Sequence, residues 1–176
     1  GNVIGDHSRF NLAGFNIHSV AYKARPEINC VMHTHTRAGV AVAATERGLL
    51  PISQHVMLIW NDISYYEYGG PGSIEEANAM SEACGKTDCV VMRNHGLLTM
   101  GKTIPAAWFR MYYLELSCQI QATAQAMNEP LHYAPQEVEK LSIEHYTDRL
   151  QAASLGELEW ESLLRMLDRQ GADYRA

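Results

Sequence analysis

No apolar run in this chain approaches the roughly 18 residues that a membrane-spanning helix needs, and its opening residues lack the pattern of a signal peptide. The expectation is a cytoplasmic protein with no membrane partner. A surplus of basic charge is lacking too: 14 Lys and Arg stand against 20 Asp and Glu, for a net charge of -6. That argues against nucleic acid as a partner, because nucleic acid is recognised through clustered positive charge. Cys30, Cys84, Cys89 and Cys118 show no C-x-x-C spacing, so they read as buried, reduced thiols rather than metal ligands. There is no internal repeat and no low-complexity tract. With 176 residues, 47% hydrophobic and 19% charged, residues 1–176 are expected to form a single globular domain. The chain opens at Gly1 on what reads as the end of a loop, and the expectation is that a natural N-terminal segment is missing.

Hydrophobic spacing gives a coarse map. Ile17, Val20, Ala21 and Ala24 predict a helix over 14–25 that Pro26 stops. A strand over 28–33 follows, then an alanine- and valine-rich helix over 37–47 ended by Gly48. The stretch 50–60 is apolar around Gln54 and His55 without a clear period, and 63–68 reads as a short aromatic strand. Ser73 to Glu76 matches a capping box that opens a helix to Cys84, with Gly85 beyond it. Strands over 89–92 and 97–100 are joined too tightly to be parallel, so the sheet is mixed or antiparallel in part. Thr103 is placed to cap a long helix over 105–127 with Pro105 in its first turn. Helices over 136–150 and 157–168 complete the map, with 128–135 as a connection. This alternation predicts an α/β layered domain.

The chemistry concentrates in histidine. His33-Thr34-His35 ends the first strand, where residues i and i+2 share a face and present two imidazoles side by side. A third, His95, sits in the turn Arg93-Asn94-His95-Gly96 after a second strand, which can deliver it to the same sheet edge. Three neutral imidazoles suit zinc, and less selectively manganese, iron or cobalt, while leaving coordination positions open. A His-x-His pair also arises on solvated edge strands, so the pair alone does not define a site.

Arg25-Pro26, His33-Thr34-His35-Thr36, Arg93-Asn94-His95-Gly96-Leu97-Leu98 and the long helix with Tyr113, Leu114 and Glu115 together resemble the class II aldolase/adducin family over residues 12–130, in the manner of its adducin-like bacterial branch. The resemblance implies a three-layer α/β/α sandwich around a central, mostly antiparallel sheet. It also implies a divalent metal, zinc first, held by His33, His35 and His95. Enzymes of that family are commonly homotetramers with active sites between subunits, so a homo-oligomer acting on a small molecule is expected. The metal there stabilises the negative charge left when a carbon-carbon bond breaks beside a carbonyl.

The chain departs from the aldolases at one position. They carry a glutamate four residues before a histidine that matches His18, and here the matching residue is Gly14. A glycine cannot transfer a proton. His55 falls near a tyrosine position of the aldolases; it is read either as a proton-transfer residue facing the active site or as an ordinary polar residue of a partly buried loop. Asn94 is read as holding its turn or as binding substrate. His18 is expected to be structural, and His7, His132 and His145 to lie on the surface. Tyr65, Tyr66 and Tyr68, with the stripe Met111, Tyr112, Leu114 and Cys118, read as core or interface packing. Tyr174 is a candidate to reach a neighbouring subunit. The serine pair of the sugar-phosphate enzymes is missing near Arg9, so a phosphorylated substrate is not supported, and Arg9 reads as a surface residue or an anion contact.

The function expected from this is a metal-dependent lyase, an aldolase or a decarboxylase, acting on a small oxo or hydroxy acid or a sugar-like compound. Loss of the glutamate favours decarboxylation. The alternatives are an adducin-like binding or scaffold module without catalysis, and a metal-dependent epimerase.

Overall fold

The computed structural model describes residues 2–6, 11–67 and 74–174, excepting the side chains of 74–76. His7, Arg9, Tyr68 and the capping serine Ser73 lie outside that range. Four strands, β1 (Cys30–Thr34), β2 (Ile63–Tyr66), β3 (Cys89–Met92) and β4 (Gly96–Gly101), form one sheet in the order β1-β4-β3-β2. β4 runs antiparallel to both its neighbours, and β2 pairs with β3 in parallel. The sheet is therefore mixed, with two of its three pairings antiparallel.

Every residue of β3 and β4 is buried, because helices cover both faces of the sheet. That is why Cys89-Val90-Val91-Met92 reads as an unbroken apolar run rather than an alternation. Val90, Met92, Leu98 and Met100 face one side, together with Ala21 of α1 (Leu12–Ala24) and Met80 and Ala83 of α4 (Ile74–Lys86). Cys89, Val91 and Leu97 face the other, against α2 (Arg37–Ala43), α3 (Gln54–Ile59) and α5 (Ile104–Ala126). Leu150, at the end of α6 (Gln136–Leu150), joins this second core, and α7 (Glu157–Gln170) packs beside α5. The result is the three-layer α/β/α arrangement expected from the sequence.

Several boundaries differ from expectation for local reasons. The helix over 37–47 stops at Ala43, where Thr45 folds back to donate to the Val42 carbonyl at 2.8 Å and opens a turn closed by Gly48 at φ +64. α4 continues through Gly85 to Lys86. The first strand begins at Cys30 rather than residue 28, since the Ile28 amide still closes a turn onto the Arg25 carbonyl. The ambiguous stretch around His55 is a short helix, opened by Ser53 accepting from the Val56 amide at 3.4 Å. Tyr112 is 48% exposed while Met111, Leu114 and Cys118 of its stripe are buried. Cys84, Cys89 and Cys118 are buried, as expected, and Cys30 is half-buried. Burial pushes the Cys84 thiol up to about 11 and that of Cys118 up to about 12.

Among the described residues Arg110 is the charged exception in the core. Its Nε donates to Asp62 and its Nη2 forms an ion pair with Asp88, each at 2.7 Å, and Arg25 reaches the other Asp88 oxygen at 3.1 Å. Asp62 and Asp88 stand immediately before β2 and β3 respectively, so one guanidinium on α5 ties down the starts of both parallel strands.

Candidate metal centre

The sequence Asn94-His95-Gly96 has a specific task at each position. Asn94 takes φ +55, a left-handed conformation that asparagine tolerates better than most residues. Gly96 pairs closely with β1, where a Cβ would overlap the Thr34 carbonyl oxygen and press on the His35 ring. The tight turn brings His95 back over the end of β1, beside His33 and His35. Gly96→Ala is expected to cost about 1–3 kcal/mol of stability by overpacking this junction, and to weaken zinc binding. Thermal unfolding in chelator and a competitive zinc titration check both effects.

The three imidazoles converge. Ring centroids lie 4.6 Å apart for His33 and His35, 5.0 Å for His33 and His95, and 4.7 Å for His35 and His95. One nitrogen from each ring can be chosen so that all three fall within 4.8 Å of one another. The His33 Nδ1–H donates to the Leu97 carbonyl at 2.9 Å, because a carbonyl can only accept. This fixes the tautomer and turns the Nε2 lone pair toward His35, whose Nε2 lies 2.7 Å away. A carbonyl holding the outer nitrogen of a ligating histidine is the usual support for a metal ligand. Two ligands on a tetrahedral zinc stand roughly 3.4 Å apart, so a slight opening of the His33–His35 pair admits an ion. The donor set fits zinc.

Burial is the main cause holding His33 down at about 4; the Leu97 bond opposes this, while His95, His35 and His18 deepen it. His33 therefore stays neutral, and able to offer a lone pair, well below the ordinary imidazole value of 6.5. Between those two values the unfolded chain binds a proton that the folded one does not, so stability rises with pH across that window. The metal-free protein is expected to lose about 1–2 kcal/mol as pH falls from about 6.5 to about 4, allowing for solvent screening of a half-exposed ring. Urea unfolding across this range, compared with a His33→Gln variant lacking the effect, checks it.

The other sequence candidates are placed differently. Asn94 is exposed and serves its turn. His55 is half-buried on α3 and stacks on Tyr113, centroids 6.2 Å apart, rather than joining the three imidazoles. His132 and His145 are exposed. The Tyr174 hydroxyl donates to Asp168 at 2.8 Å. His18, expected to be purely structural, lies close enough to His33 to act on its charge. Its i,i+4 relation to Gly14 on α1 was the available signal.

Thr36 and Glu115 belong to the motifs that carry the family resemblance, and the structure gives them a task. The Thr36 hydroxyl accepts from the Gly39 amide as the cap of α2 and donates to Glu115 Oε2, while Gln119 donates to the other carboxylate oxygen at 2.8 Å. The residue next to His35 is thus anchored to α5.

Residues 1–122 match the family model described as the class II aldolase and adducin N-terminal domain. A Pseudomonas aeruginosa protein of class 2 aldolase type is 35% identical over 94% of this chain, and human beta-adducin is 35% identical over 90%. The chain spans 65% of the former and 23% of the latter. Among solved structures, an aldolase II superfamily protein from Pseudomonas syringae superposes with a TM-score of 0.90 at 36% identity, covering 100% of this chain and 71% of that one. L-Fuculose 1-phosphate aldolase from Glaciozyma antarctica superposes at 0.77 with 25% identity, covering 98% of this chain and 68% of that one.

Proposed function

The chain belongs to the class II aldolase and adducin family, and from that premise we propose that it is a divalent-metal-dependent lyase that makes or breaks a carbon-carbon bond beside a carbonyl. The substrate class is a small oxo or hydroxy acid or a sugar-like compound, and the reaction is an aldol cleavage or a decarboxylation. The observation that carries this reading is the convergence of His33, His35 and His95, with nitrogens within 4.8 Å of one another. These three would hold the ion, zinc first, with manganese, iron or cobalt as substitutes. When bound, the ion supplies the positive charge that stabilises oxygen next to a developing carbanion. The Leu97 carbonyl holds the His33 ring in the ligating tautomer, and Thr36 with Glu115 fixes the chain beside His35. Proton transfer at His55, which stacks on Tyr113 outside the cluster of three imidazoles, and substrate hydrogen bonding at the exposed Asn94 enter this proposal from the sequence alone. We extend the reading to a homotetramer in the cytoplasm.

The decisive assay incubates zinc-loaded protein with a panel of small oxo and hydroxy acids and follows carbonyl product and carbon dioxide, beside a His95→Ala control. Turnover confined to the loaded, unsubstituted protein supports the lyase. Equal turnover after the metal is stripped sinks it.

One observation favours a second reading, a binding module of adducin type without catalysis: glycine occupies the position of the aldolase glutamate. Packing does not account for that glycine. The three atoms nearest to a Cβ on Gly14 would all belong to the Asn11 side chain, at 3.7 Å or beyond. Asn11 caps α1 by accepting from the Gly14 amide at 3.1 Å, which makes position 14 the third residue of the helix, where glutamate completes a capping box. Gly14→Glu is expected to stabilise the protein by about 0.5–1 kcal/mol through helix propensity, read as a higher melting temperature. Destabilisation would show that space, not chemistry, selects the glycine.

A further inference from the structure

A cavity of about 520 Å³ opens at the end of the sheet opposite the histidines, a volume in the usual range for small-molecule sites. Its lining comes from just before β1, the starts of β2 and β3, and the segment after β4, whereas His33 and His95 stand at the other ends of these strands. At about 3.3 Å per residue along β1 and β4, the two sites are on the order of 15–20 Å apart. The cavity is therefore separate from the metal centre.

Its chemistry has two parts. Ile28, Ala106, Leu150 and Leu155 give it an apolar wall, each 7% exposed or less. The polar side holds Arg25, Arg110, Asp62 and Asp88, whose charges cancel through their own ion pairs. Lys86 and Lys102 also line the space. Lys86 meets Glu82 in an exposed pair, and Lys102 acts on Glu27, the further partner of Arg25, without forming an ion pair of its own among the described residues. Thr87 and Thr103 line the same cavity, but the Thr87 hydroxyl hydrogen is engaged with the Cys89 carbonyl at 3.0 Å and the Ser64 hydroxyl at 2.8 Å. The Thr103 oxygen accepts from the Ala106 amide at 3.2 Å, which leaves its hydrogen available to a ligand. With both lining acids engaged by arginine, Lys86 and Lys102 are the lining cations whose charge is met only by acids outside the lining, Glu82 and Glu27, and with the Thr103 hydroxyl they are donors of the kind that grip an oxyanion.

We propose that this cavity is a second binding site, for a small organic molecule that carries a phosphate or carboxylate group on Lys86, Lys102 and the Thr103 hydroxyl and lays an apolar body against Ile28 and Leu155. The site is independent of the lyase reading and of the metal.

The test is an amide NMR titration of the whole chain, metal-free and at constant ionic strength in chloride, with inorganic phosphate in one arm and succinate in the other. Saturable shifts at Thr87, Lys102 and Thr103 are expected, with affinity reduced at least about tenfold in Lys86→Gln/Lys102→Gln. An unchanged melting temperature of that variant would show that the fold is intact. The arm that saturates at lower concentration identifies the group as phosphate or carboxylate. Non-saturating shifts in both arms, shifts centred on the histidines, or equal affinity in the variant would each overturn the proposal.

Discussion

Replacing both His33 and His35 with alanine is expected to reduce bound divalent metal from near one ion per chain to none, by elemental analysis after purification and dialysis. The two residues sit on one strand end, and a single remaining imidazole, His95, cannot hold zinc against water and buffer. The loss should come without collapse of the fold, because His35 is exposed and His33 half-buried, and neither belongs to either apolar core. The acid-induced loss of stability traced to His33 should vanish in the same variant, since the group that stays neutral in the folded state is gone. If the unsubstituted protein also carries no metal after exposure to zinc, the lyase reading fails and the binding-module reading replaces it. If the variant keeps its ion, the ligands lie elsewhere.

How much of this was legible in the sequence differs by element. The long helix from Ile104 and both strands of the β3–β4 hairpin were readable to within a residue or so, because a Thr-x-Pro opening and a four-residue apolar run are strong local signals. The convergence of the three histidines was readable for a different reason: His-x-His at a strand end fixes two rings on one face, and Asn-His-Gly has to turn. Residues 50–60 were not readable, because a short helix buried along Val56, Met57, Leu58 and Ile59 shows no amphipathic period; the Ser53 cap was its available mark. The stop of α2 at Ala43 was hidden by good helix formers beyond it, and only Thr45 competing for the Val42 carbonyl ends it. The environment of His55 depends on how α3 packs on Tyr113, which no local pattern encodes. The same holds for Arg110, one charge inside an apolar stretch of helix, whose partners are 48 and 22 residues away in sequence as Asp62 and Asp88.

Arg110→Met is expected to destabilise the protein by about 3–5 kcal/mol, the cost of stripping a buried ion pair of one partner. The side chain is only 8% exposed, and its loss leaves Asp62 and Asp88 facing each other where two parallel strands begin. The deficit should depend on pH. Burial already raises the Asp88 carboxyl above its ordinary range, with Arg110 the largest influence holding it down. Without Arg110 the folded state takes up a proton there more readily than the unfolded chain does, so the variant loses stability as pH rises through that raised value and regains some as pH falls. Urea unfolding at pH 5 and pH 7.5 should therefore show the larger gap between variant and parent at the higher pH. Adding Asp62→Asn and Asp88→Asn to Arg110→Met is expected to recover most of the loss at pH 7.5, because neutral amides of the same size no longer repel. The Asp62→Asn side chain also keeps an oxygen to accept from the backbone amide of residue 88, a bond that is 2.8 Å long with the native aspartate. A pH-independent deficit that the two asparagines do not relieve would assign the role of Arg110 to packing of its stem rather than to charge.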